Sequence, residues 1–245
     1  LLNNCIKDLN EGNILKSLDY QIINSSDDSL YSFQSELINT FTGEKEKNSW
    51  IMMYNYSIAD SLIFKILPNY ISKTNQNGIA KFKGNIKQGK YQIVSLSGDD
   101  YIYHEDELIS FSDNLINIGV DTFSVLHSFN PLQKIDSSQS MQDSSITIGG
   151  SLTLKTDLNG VVIVQLLKEG KVILQKQFKN TSEFNLKNIS TGEYSLRFFH
   201  DENKNAYWDT GNFTEKKQAE RMYYYPEKIT IRENWDLELI WITKE

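Results

Sequence analysis

Residues 77–96 read NGIAKFKGNIKQGKYQIVSL, and residues 184–199 read FNLKNISTGEYSLRFF. Both hold the order I-x-x-G-x-Y-x-[IL], carried by Ile86, Gly89, Tyr91 and Ile93 in the first and by Ile189, Gly192, Tyr194 and Leu196 in the second. The copies lie about 103 residues apart, a separation that points to an internal duplication. An apolar residue ends one strand, a glycine makes the tight turn, and the next strand opens on an aromatic side chain bound for the core.

Working outward from these stretches, the local patterns are nearly all strand-like. KYQIVSL (90–96) alternates, with Tyr91 and Ile93 on one face and Gln92 and Val94 on the other. WDLELIW (235–241) sets Trp235, Leu237, Leu239 and Trp241 against Asp236 and Glu238. VVIVQLLKEGKVILQKQF (161–178) reads as a hairpin turning at Gly170. An aromatic content of 12% suits sandwich cores and cross-strand pairs. Two short helices are expected, FTEKKQAERM at 213–222 and a segment around Leu9–Leu18. PLQKIDSSQSMQDSS (131–145) is polar, Ser-rich and nearly free of apolar residues, so it reads as a linker between two comparable halves.

Composition narrows the function classes. The chain has 245 residues, 25 basic against 32 acidic, and a formal net charge of −7. An acidic excess lacks the basic footprint of a general nucleic-acid binder and opposes adsorption to anionic lipid. No apolar run approaches the roughly 18 residues of a membrane-spanning helix. Cys5 is the only cysteine, which leaves neither an intrachain disulfide nor a thiolate zinc site. LLNNCIKDLN has no signal-peptide pattern, and Cys5 follows Asn4, so it reads as a small, partly buried residue. The sequence is expected to start inside a longer precursor.

INTFTGEKEKNSWIMMY followed by TNQNGIAKFKGNIKQGKYQIVSL resembles the carboxypeptidase-regulatory, or Cna B-type, seven-stranded β-sandwich. Thr42, Gly43, Thr74, Asn77, Gly78, Gly89 and Tyr91 stand at that pattern's positions. GEYSLRFFHDENKNAYWDTGNF with QAERMYYYPEKITIRENWDLELIW resembles the end of a Bacteroidota lipoprotein family with SbsA-type Ig-like domains. The matching stretch of the first half, NIKQGKYQIVSLSGDDYIYHEDELISFSDNLI, is shorter and lacks the D-x-N-x-N acidic turn. The resemblance implies two tandem modules after an N-terminal Ig-like domain, in an exported, lipid-anchored outer-membrane protein. It implies no catalytic activity. Residues 1–27 are expected to be the tail of that N-terminal domain, 28–130 the first sandwich, 131–145 the linker and 146–245 the second.

Two motifs could carry binding chemistry. In DENKNAYWDTGN (201–212), Asp201, Asn203, Asn205, Tyr207 and Asp209 fall at positions 1, 3, 5, 7 and 9 of an EF-hand-like calcium loop, Tyr207 through its carbonyl. Ala206 stands where glycine is usual and Asn212 where a bidentate glutamate is usual, so any Ca²⁺ site here is weak. The plainer reading is a polar turn in which Asp and Asn side chains bond their own backbone. The second motif is aromatic: Trp208 with Tyr223, Tyr224 and Tyr225 could form a sugar-stacking platform or a protein hot spot. Three consecutive tyrosines in a strand cannot all face one way, so at least one is expected outside. The acidic run Asp99, Asp100, Glu105, Asp106 and Glu107 beside His104 reads as a charged loop. No nucleophile elbow, P-loop or dinucleotide-binding glycine pattern is present.

The expected fold is all-β, two tandem Ig-like or transthyretin-like sandwiches joined by a linker. The expected function is a non-catalytic, outer-membrane accessory or scaffold lipoprotein that binds other envelope proteins, with a place in an assembly or secretion complex as one version. The alternatives are a cell-surface glycan-binding module and a passive spacer. No cofactor is required, no nucleic acid is bound, and the membrane is reached only through a lipid anchor outside this chain.

Overall fold

The computed structural model describes residues 6–7, 14–15, 30–98, 101–133 and 149–242. These residues are nearly all β. A short antiparallel pair joins β1 (Ile6–Lys7) to β2 (Ile14–Leu15), so this part of the 9–18 segment is strand and not the expected helix. Cys5 and residues 134–145 of the expected linker lie outside the described residues.

The chain divides into two compact units. One takes the described residues within Leu1–Asn39, Glu44–Leu132 and Asn212–Lys217, the other those within Thr40–Gly43, Gln133–Gly211 and Gln218–Glu245.

The first unit holds β3 (Leu30–Asn39), β4 (Trp50–Asn55), β5 (Tyr70–Lys73), β6 (Ile79–Lys87), β7 (Gly89–Leu96), β8 (Ile109–Phe111), β9 (Ile116–Ile118) and β10 (Phe123–Ser128). Its strands form a three-stranded sheet in the order β10-β3-β6 and a five-stranded one in the order β5-β4-β7-β8, with β9 also on β7. One core joins them: Phe33, Leu37, Phe82, Ile86 and Leu126 from the first sheet meet Ile51, Met53, Tyr91, Ile93 and Ile118 from the second. That is a β-sandwich.

The second unit repeats this plan strand for strand. It holds β11 (Gly150–Thr156), β12 (Val161–Lys168), β13 (Lys171–Lys179), β14 (Glu183–Ile189), β15 (Gly192–His200), β16 (Met222–Tyr224), β17 (Ile229–Ile231) and β18 (Asp236–Trp241). The sheets are β14-β11-β18 and β13-β12-β15-β16, with β17 also on β15. The last strand of each unit pairs parallel with the first, β10 on β3 and β18 on β11. A register shift falls at the same step in both, between Tyr31 and Phe33 and between Gly150 and Leu152.

The repeated motif has the same role twice. Gly89 and Gly192 have φ near +155° and +152°, a region that side chains with a Cβ avoid. Two residues on, the Tyr91 hydroxyl donates to the Lys87 carbonyl at 3.0 Å, and the Tyr194 hydroxyl to the Ser190 carbonyl at 2.8 Å. Each tyrosine is buried and ties its strand to the preceding turn. The 161–178 hairpin is also present. Glu169 and Gly170 both have positive φ, 51° and 78°, the two-residue turn that matches strand twist.

Residues 213–222 are not helical. Asn212 and Lys217 exchange backbone hydrogen bonds of 2.7 and 2.9 Å, which closes a tight loop before a helical turn can propagate. Lys216 takes φ +54° inside it.

Candidate binding surfaces

The 201–209 loop leaves the end of β15 in the second unit, and its oxygens are committed to its own backbone. Asp201 is buried, and its carboxylate accepts the N–H of Asn205 at 3.0 Å and of Ala206 at 2.9 Å. Asn203 Oδ1 accepts the N–H of Asn205, and Asn205 Oδ1 that of Tyr207. The side-chain amides of Asn203 and Asn205 both turn toward Asp209 Oδ2, at 2.5 and 2.8 Å. Lys204 and Ala206 sit at φ +62° and +66°, as consecutive Asx turns require. The sequence motif therefore folds as one compact polar turn. Among the described residues no group of three or more His, Cys, Asp or Glu side chains is arranged to hold a metal ion.

Glu220 is the residue here that sequence spacing could not supply. It is 5% exposed and closes the loop from eleven positions beyond Asp209. Its carboxylate accepts the N–H of Glu202 at 3.0 Å and of Asp209 at 3.1 Å, and its own N–H donates to the Asp209 carbonyl at 3.0 Å. Burial pushes its carboxyl up to about 7; the two backbone donors pull the other way, and the nearby Asp209 and Asp201 add to the rise.

Trp208 is not part of an open aromatic platform. It is 5% exposed and packs with Ile163, Phe199 and Met222 in a small second core on the outer side of the five-stranded sheet, its indole N–H donating to the Glu220 carbonyl. A ring enclosed in this way cannot stack on a sugar. The three tyrosines alternate as strand geometry requires. Tyr223 stacks on Phe198 at 4.8 Å, and Tyr225 meets Trp241 edge-on at 5.4 Å. Tyr224 faces outward, where its hydroxyl accepts from Arg197 Nη1 at 3.1 Å. Arg197 is buried and anchored further by Gln165 Oε1, which accepts from its Nε at 2.6 Å.

Among the described residues the exposed tryptophan is Trp235, at 55%. With Tyr225, Thr230, Arg232, Leu237 and Leu239 it lines a groove of about 330 Å³ between β17 and β18. In the acidic run, Asp99 and Asp100 lie outside the described residues, and Glu107 accepts the His104 N–H at 2.9 Å, a loop contact.

The three-stranded sheets expose apolar side chains at their parallel edge strands. Among the described residues β10 pairs only with β3 and presents Phe123 and Val125 to solvent, while β18 pairs only with β11 and presents Ile240. Val125 lies opposite Glu36, and Ile240 opposite Lys155. Counted from the shared register shift, these are equivalent positions, so the duplication sets an apolar residue twice on the outer face of an edge strand.

No protein-family model matches the chain, and no curated protein matches it. Among solved structures it is similar to fervidolysin from Fervidobacterium pennivorans, a keratinolytic enzyme related to subtilisin, at 11% identity over 70% of this chain and 25% of that one, with a TM-score of 0.30. It is similar to the Bacillus anthracis TIE protein at 15% identity over 87% of this chain and 34% of that one, TM-score 0.27. The chain thus spans about a quarter and a third of those two structures. A DUF3823 family protein from the Bacteroidota species Parabacteroides merdae is a structural neighbour at 10% identity over 84% of this chain and 100% of that one, TM-score 0.25.

Proposed function

We propose that this chain belongs to a non-catalytic accessory or scaffold lipoprotein of the SbsA-type Ig-like kind at the outer membrane, which docks other envelope proteins through its edge strands. The observation that carries the reading is the repeated apolar edge, with Val125 and Ile240 at equivalent positions on flanks of β10 and β18 that pair with no other strand among the described residues. Natural sandwiches blunt such edges with charge or proline; on β18 the exposed Asp236 and Glu238 share Ile240's face, whereas β10 (FSVLHS) carries no carboxylate, lysine, arginine or proline. Main-chain hydrogen bonds along the edge supply affinity, and the alternate apolar side chains supply register. The test is affinity purification of the tagged full-length precursor from native membranes, compared with Val125→Lys and Ile240→Lys. The reading expects a stoichiometric envelope protein that the variants lose.

A second reading, glycan binding, is favoured by one observation. Trp235 and Tyr225 flank a groove with exposed polar residues, the arrangement that aromatic sugar sites use. A glycan array with Trp235→Ala as control tests it. Absence of any hit, or hits that survive the substitution, would refute it.

A further inference from the structure

The connection between β4 and β5, residues 56–69, reads YSIADSLIFKILPN. It turns Tyr56, Leu62, Ile66 and Leu67 to solvent, Leu67 at 67% exposure. Loops normally present polar side chains here and leave their backbone to water. This one does the reverse. A 3₁₀ turn at Asp60–Leu62 begins the run of internal bonds. Leu62 N–H reaches Ala59 O at 2.9 Å, Ile63 N–H reaches Asp60 O at 3.1 Å, and the N–H groups of Lys65 and Ile66 both reach Leu62 O, at 2.9 and 3.2 Å. Tyr54, fully buried, lifts its hydroxyl beneath the loop, donating to Ile66 O at 3.2 Å and accepting Phe64 N–H at 3.4 Å. That grip holds Phe64 at φ +66°, a conformation an aromatic residue rarely takes. Ile63 plugs the core below, and Pro68 brings no N–H.

We infer that residues 56–67 are a preformed lipid-inserting tip, which dips its apolar side chains into a zwitterionic membrane surface. Taking backbone out of water is costly only where its polar groups lose their partners, and here the five successive N–H groups from Leu62 to Ile66 are bonded within the loop or to Tyr54. The charges fit an interface. Asp60 is paired with Lys216 of the same unit at 3.2 Å, and Lys65, exposed and without a carboxylate partner among the described residues, can lie along the tip and keep its ammonium at headgroup level. A formal net charge of −7 makes an anionic lipid surface the wrong partner and a neutral one the right one. Four side chains on one loop cover far less than the about 800 Å² per partner of a stable protein interface. A fluid bilayer asks for no matching shape. The inference concerns a different segment from the sheet edges and stands whether or not those bind a partner.

Flotation of the 245-residue chain with extruded phosphatidylcholine vesicles tests it. The wild-type chain should float, with little dependence on salt. The double variant Ile66→Glu, Leu67→Glu should float about tenfold less or worse, and Val120→Glu, another exposed apolar position, should float like wild type. Leu67→Trp should shift its emission to the blue when vesicles are added, a readout that does not rely on the glutamate variant folding. Failure to float, flotation unchanged by the double substitution, or an emission from the Leu67→Trp variant that vesicles leave unmoved each overturns the inference. So does binding only to phosphatidylglycerol vesicles that salt abolishes, or concentration-dependent self-association that the double variant loses in the absence of lipid.

Discussion

The Glu220 carboxylate should make the second unit less stable as pH rises through neutrality. In the folded chain burial holds this group at about 7, against an ordinary value of 4.5. The folded state therefore keeps a proton that the unfolded state has released. The sign follows: the stabilisation is fully present below about pH 4.5 and is lost as pH rises through about 7. At 1.36 kcal/mol per unit of pKa, the loss between pH 5 and 8 is about 3 kcal/mol, with a slope no steeper than about 1.4 kcal/mol per pH unit for one proton. Urea unfolding, followed by tryptophan fluorescence across that range, measures it. Glu220→Gln is the control. Its amide resembles the protonated carboxyl that the folded chain holds at pH 5, so the variant should stay close to the wild type there and show a flatter pH profile. A carbon NMR titration of the Glu220 carboxyl should find its midpoint near 7. Wild-type stability that is flat or rising from pH 5 to 8, or a Glu220→Gln variant that keeps the full slope, would refute the reasoning.

Further outcomes follow from the repeat and the loop. Tyr91→Phe should cost about 1 kcal/mol, because it removes the hydroxyl bond to the Lys87 carbonyl, and Tyr194→Phe somewhat more, because the Tyr194 hydroxyl bonds both the carbonyl and the Oγ of Ser190; a Tyr194→Phe cost below that of Tyr91→Phe would show that the second corner does not depend on those bonds. Phe198→Ala, at the centre of the second core, should cost about 3–5 kcal/mol by denaturant unfolding. Asp201→Ala, measured in the presence of a chelator, should lower stability by about 1–3 kcal/mol, since its carboxylate accepts two backbone N–H groups. A chelated variant that melts like the chelated wild type would show that the loop's order comes from calcium.

The duplicated sandwich was legible because its motif is a geometric demand. A positive-φ glycine followed by a buried tyrosine fits few structures, and finding it twice at one offset fixes two copies of the same corner. The 161–178 hairpin was legible for the same reason, through Gly170. Properties that neither composition nor spacing fixes were not. The charged 213–222 stretch has the composition of a helix, but the cross-bond from Asn212 to Lys217 decides it. Trp208 and Trp235 look alike in sequence, and burial separates them: one is enclosed by Ile163, Phe199 and Met222, the other follows a turn at the rim of a groove. The polar turn at 201–209 was readable from Asx chemistry, yet its closing residue, Glu220, lies eleven positions beyond Asp209 and shows itself only in the fold. Nothing in the composition of the 56–69 connection marks its side chains as exposed, and the hydroxyl that bonds its backbone, Tyr54, belongs to the strand before it.

The claim that the edge strands dock an envelope partner is tested most directly by photocrosslinking. A photoreactive amino acid placed at Val125 or at Ile240 of the precursor, in living cells, reports what lies within a few ångströms of each edge. The account predicts a discrete adduct with another envelope protein from both positions, and none from Lys83 or Lys187, which are exposed on the antiparallel edge strands β6 and β14 of the same sheets. Adducts absent from Val125 and Ile240, or equally strong from the control positions, would contradict it.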